Sequence, residues 1–118
     1  MINLRLVDLD PQFFRYEERD GHAYHVHVDT IGEAHGIGFL CPKCFAENNG
    51  PVGTHTVVCW SRSAGTPDDA LPGPGRWKLV GTSYEDLSLN VDPPSKARPV
   101  MLNGGCAWHG FITNGQAT

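Results

Sequence analysis

Apolar and polar residues alternate in short runs along this chain, and the runs are separated by turn residues. In "INLRLVDL", residues 2–9, Ile2, Leu4 and Leu6 stand against Asn3 and Arg5, which predicts a short strand ending at Asp10-Pro11. The segment "FFRYEERDGHAYHVHVDT" predicts a hairpin closed by Asp20-Gly21, with Tyr24, Val26 and Val28 on one face and His25, His27 and Asp29 on the other, solvated one. Residues 30–36 fit one helical turn or a loop, after which "IGFL" leads into "CPKC". "THTVVCW", residues 54–60, is rich in β-branched residues and predicts a buried strand. "SRSAGTPDDALPGPGR", residues 61–76, predicts a surface loop; "WKLVGT" and "DLSLNV" predict strands, "DPPSKARP" a second loop, and "PVMLN" and "GFITN" the last two strands. The expected fold is mainly β: a small, loop-rich, single-domain antiparallel sheet over residues 1–118, with an N-terminal strand and hairpin in 1–30 and a metal-stapled part in 37–115.

Composition agrees with this picture and narrows the function classes. The 118 residues include 14 Gly and 9 Pro, which favours turns over long helices. Nine Lys and Arg against 13 Asp and Glu leave a net charge of −4, and the cations are scattered singly, so a nucleic acid partner is disfavoured. Arg5, Asp8 and Asp10 interrupt the start of the chain where a signal peptide would be apolar, and no apolar run is long enough to span a membrane. The expected compartment is the cytoplasm, where four cysteines read as thiols or metal ligands before they read as disulfides.

Cys41 and Cys44 stand in "FLCPKCF", and Cys106 and His109 in "GGCAWHGF". Two donors separated by two residues suit one tetrahedral ion, because a tight turn of that length brings both to one side. Pro42 stiffens the first turn, while Gly104, Gly105 and Gly110 allow a close-wrapped second one. The expected site is therefore a Zn2+ knuckle of Cys41, Cys44, Cys106 and His109 that ties the middle of the chain to its end. A redox pair of the thioredoxin kind is a weaker reading, since "FAENNGPVG" is expected to break a following helix.

Other residues compete for roles at such a site. His55, after a glycine turn in "GTHT", can replace His109 as a ligand or stand beside the ion as a base. Cys59 in "VVCW" reads as a buried structural thiol rather than half of a Cys–His nucleophile. His25, His27 and Asp29 form a face that binds metal in some enzymes but more often is a solvated hairpin side. Trp60, Trp77 and Trp108 read as core residues around the metal, with Trp108 also a candidate anchor for a partner.

The segments "HGIGFLCPKCFAENNGPVGTH", "PGPGRW", "DLSL" and "GCAWHGFITNGQ" resemble, in order and spacing, a family of small uncharacterised phage, prophage and bacterial proteins with an early Cys-Pro-x-Cys and a late Trp-His-Gly-Phe motif. The resemblance covers about residues 24–118 and implies a β-rich metal-binding protein encoded by a phage or prophage, in the host cytoplasm or associated with the virion. No activity comes with it.

Two functions remain. A site closed by four protein ligands leaves no place for substrate and points to a structural module that contacts another protein. A site with three ligands and a water points to a zinc-dependent hydrolase, with His55, Glu47 or Asp92 as its base. The chain has no His-Glu-x-x-His motif, and it lacks the His-x-Glu that precedes Pro-Cys-x-x-Cys in zinc deaminases.

Overall fold

The computed structural model describes residues 3–72, 75–95, 100–101 and 108–118 and is mainly β. The chain opens with β1 (Leu4–Arg5), but a 3-10 turn over Leu6–Leu9 replaces the rest of the expected strand. The reason is the spacing of the apolar residues. Leu6 and Leu9, three apart, are eclipsed on a helix of three residues per turn, and both are fully buried.

The hairpin forms as its sequence predicts. β2 (Gln12–Arg19) and β3 (His22–Val28) pair from Phe13↔Val28 to Arg19↔His22 around Asp20 and Gly21, at φ 52° and 77°. Positive φ at both turn residues matches the twist of the flanking strands. β4 (Gly36–Leu40) joins β2 through Gln12–Phe14, and β5 (Thr56–Trp60) joins β4, giving the order β3-β2-β4-β5.

One face of this sheet builds the core. Phe13, Ile37 and Cys59 lie opposite one another on successive strands and are buried with Val28, Phe39 and Val57. On the other face His25 and His27 are exposed, as expected, but the face also carries a buried aromatic cluster. Trp60 is fully buried there, with the His25 ring 4.9 Å away and edge-on, the Tyr16 ring at 5.7 Å, and its indole N–H donating to the Leu71 carbonyl. Two glycines make room for these rings. A Cβ on Gly36 would lie 2.5 Å from the Trp60 ring and 2.6 Å from the Cys59 carbonyl oxygen, and one on Gly38 would lie 2.6 Å from the Phe14 ring. Because rigid backbone limits relaxation at the first position, Gly36→Ala is expected to destabilise by about 1–3 kcal/mol. Urea unfolding measures the effect, and an unchanged midpoint would contradict this packing.

After β4 the chain enters α1 (Pro42–Asn48), where the sequence reading expected no helix. Pro42 occupies the first helical position, where its fixed φ is favourable and its missing N–H costs nothing. The breaking residues act only at the far end, with Asn49 at φ 55° and Gly50 at φ 145°. β6 (Trp77–Val80) pairs with β7 (Ser88–Val91), and Tyr84 in their turn stacks on Phe13 at 4.4 Å and accepts the Phe13 N–H. In that turn the Asp86 carboxyl is held below the ordinary carboxylate range by N–H donation from Ser83 and Thr82 and by the Thr82 hydroxyl.

β8 (Val100–Met101) pairs with β9 (His109–Gly110). β10 (Ile112–Thr113) turns at Asn114-Gly115 into β11 (Gln116–Ala117), a strand beyond those the sequence reading assigned. β11 then pairs with β1, so the two ends of the chain lie side by side. No helix among the described residues is long and apolar enough to cross a membrane.

Candidate metal centre

The centre starts where the β4–β5 ladder runs out. Leu40↔Thr56 is its last pair, and the Cys41 N–H donates to the His55 carbonyl at 2.9 Å, extending the ladder by one rung. Cys41 and His55 thus face each other across adjacent strands, where β-carbons approach to about 4.5–5.5 Å.

Cys44 arrives by a different route. Cys41 caps α1 and its carbonyl accepts the Phe45 N–H at 2.9 Å, so the chain turns back at once. Residues three apart on a helix share a face. That single turn returns Cys44 to the side of Cys41.

The result is a group of three donors, Cys41, Cys44 and His55, whose ligand atoms all lie within 4.8 Å of one another. Tetrahedral bonds of about 2.0–2.3 Å to imidazole nitrogen and thiolate sulfur place donors roughly 3.3–3.8 Å apart. The group therefore needs little movement to close on an ion. Cys41 is buried, Cys44 half-buried and His55 exposed, so the thiols lie inward and the imidazole lies at the rim.

The second predicted half behaves differently. Cys106 lies outside the described residues, and His109 holds an exposed position of β9. Among the described residues, the donor group contains His55 and not His109. Alternation explains why: Trp108 and Gly110 turn inward, which leaves His109 facing out. Trp108 itself is buried with its ring edge-on to Phe39 at 6.2 Å. The tail of the chain accordingly packs two residues upstream of Cys41.

The remaining candidates lie outside the donor group. Glu47 is exposed on α1. Asp92 is buried and accepts from the Ser61 hydroxyl at 3.3 Å and the Ser63 N–H at 2.9 Å. His27 and Asp29 approach to 3.5 Å on the hairpin, both exposed, and do not assemble with His25 into a metal group. Cys59 is fully buried, and burial pushes its thiol far above the usual range, so it stays protonated as a structural core residue.

His55, which the sequence offered as the alternative to His109, is the histidine that stands with Cys41 and Cys44 among the described residues. Its signal was the glycine turn after the Cys-x-x-Cys segment, and the strand register sets it opposite Cys41. Neither family models, curated proteins nor solved structures match this chain, so its chemistry rests on the geometry of Cys41, Cys44 and His55.

Proposed function

We propose that the chain is a zinc-stapled structural module that presents its surface to another protein, with the ion held by Cys41, Cys44, His55 and, as fourth donor, Cys106. The observation that carries this reading is the convergence of two thiols and an imidazole to within 4.8 Å. Two thiolates with one imidazole suit a borderline ion such as Zn2+ better than the hard cations, which prefer oxygen. Cys106 enters as a donor because it is two residues from Trp108, whose ring packs on Phe39, itself two residues from Cys41. Two residues reach about 7 Å. The motif resemblance adds a phage or prophage setting, in the host cytoplasm or the virion.

One observation favours the hydrolase reading: three donors with an exposed imidazole also describe a site with a water in the fourth place. Its base would then be Glu47, since His55 serves as a ligand and Asp92 is engaged by Ser61 and Ser63.

Cobalt substitution separates the readings. With four protein donors, Cys106→Ser lowers the thiolate-to-cobalt absorption by about one third, as three thiolates become two, and weakens zinc by at least about tenfold. His55→Ala is expected to weaken binding while His109→Ala leaves it unchanged. Undiminished absorption and affinity in Cys106→Ser would support the three-donor site instead, and loss of metal in His109→Ala alone would overturn the ligand set.

A further inference from the structure

The outer strand of the four-stranded sheet, β3, carries a feature the metal site does not use. It is seven residues long, "HAYHVHV", and pairs with β2 at every position without a bulge. Edge strands usually carry a lysine or other charge, a proline or a bulge that discourages further pairing. β3 has no Lys, Arg, Asp, Glu or Pro.

The register shows which of its backbone groups face outward. The Phe14 carbonyl accepts the His35 N–H at 2.8 Å, and the Tyr16 N–H donates to His35 Nδ1 at 3.0 Å. Even-numbered residues of β2 therefore turn away from β3, and the odd-numbered ones carry the ladder. Their partners are His22, Tyr24, Val26 and Val28, which leaves the N–H and C=O groups of Ala23, His25 and His27 pointing outward. Among the described residues, no hydrogen bond reaches them.

These three residues are symmetric about His25. We propose that β3 pairs antiparallel with β3 of a second copy, on a two-fold axis through His25, to form a continuous eight-stranded sheet. In that register His25 exchanges two hydrogen bonds with its counterpart, and Ala23 and His27 exchange bonds across the axis on either side. Tyr24 then faces Val26 of the other copy in the closer, non-hydrogen-bonded pairs, an aromatic and β-branched combination that stabilises sheets. No carboxylate or ammonium group lies within the strand itself, and the nearest fixed charges, Asp20 and Asp29, fall beyond its two ends. A second copy fits this edge because the outward-facing groups repeat themselves under the two-fold. A seven-residue strand is only about 23 Å long. The contact therefore falls below the roughly 1,200 Å² of stable interfaces, and association is weak, appearing at high micromolar concentration.

The test uses the full chain and does not depend on the metal. Sedimentation velocity of the wild type from low to high micromolar concentration is expected to show reversible dimer formation. His25→Lys, which sets two ammonium groups against each other at the axis, is expected to weaken it at least about tenfold with an unchanged far-ultraviolet circular dichroism spectrum. Under mild oxidation His25→Cys is expected to give a covalent dimer above the wild-type background. Ala23→Cys is not, because its two copies are offset by four residues, about 13 Å. A wild type that stays monomeric overturns the proposal and leaves the edge to a strand of some other protein. So does a dimer that survives His25→Lys, or one that cross-links through position 23 as readily as through position 25.

Discussion

Removing the zinc proposed for Cys41, Cys44 and His55 is expected to unfold much of this protein. Structural zinc contributes roughly 10–16 kcal/mol of apparent binding energy in small peptide sites, whereas a domain of this size is stable by about 5–15 kcal/mol in all. The ion need supply only about 5 kcal/mol of that stability for its loss to lower the melting temperature by about 20 °C or more. Cys41→Ser should show most of this effect. Its thiol is buried between the end of β4 and the start of α1, so the substitution removes a ligand where no water can readily replace it. Cys59→Ser is the comparison, since Cys59 is buried on the core face and is no part of the donor group. It should lower stability without changing metal content. The measurements are elemental analysis and thermal unfolding with and without a strong chelator. If chelation leaves the melting temperature unchanged, or if Cys41→Ser retains its metal, the centre does not hold the fold together.

The hairpin of β2 and β3 was legible because its signal is local. Asp20-Gly21 specifies the turn, and the alternation on either side specifies the strands. The Cys41–Cys44 pair was legible for the same reason. The third donor depends on something spacing does not encode. His55 meets Cys41 because Phe39 and Val57 must both be buried, which sets the β4–β5 register one rung short of the donors. Reading the tail as a second knuckle gave weight to a Cys-x-x-His spacing whose histidine turns outward once Trp108 is buried. Two elements the sequence did not predict have local signals of their own. Pro42 favours the helix start that the later Asn49 and Gly50 were expected to prevent, and Asn114-Gly115 is as good a hairpin turn as Asp20-Gly21. The aromatic face of the sheet was hidden for another reason. Gly36 and Gly38 read as weak strand residues, yet their missing side chains are what let Trp60 and Phe14 lie against the backbone.

Arg76→Met is expected to release the loop that the sequence showed only as a polar, Gly- and Pro-rich surface segment. Arg76 is 3% exposed, and its guanidinium donates to five backbone carbonyls. One terminal nitrogen bonds Pro72 and Gly75 at 3.1 and 2.8 Å, and the other bonds Pro67, Asp68 and Ala70 at 3.3, 3.1 and 2.8 Å. A loop without strands must satisfy its carbonyls somehow, and here one buried cation gathers them. The same loop supplies the Leu71 carbonyl that accepts the Trp60 indole N–H, so it also covers the aromatic face. Hydrogen bonds to charged groups contribute about 1.5–3 kcal/mol each. Five such bonds would rival the whole stability of the domain, but a freed loop can hydrate its carbonyls, which limits the net loss to about 2–4 kcal/mol. Arg76→Lys should lose nearly as much, because a single ammonium nitrogen cannot span two sets of carbonyls. Urea unfolding gives the size of the effect, and limited proteolysis locates it: cleavage should rise within residues 62–72 before the sheet is lost. An unfolding midpoint equal to that of the wild type in both variants would mean that the loop is held by its prolines and by Trp60 rather than by this arginine.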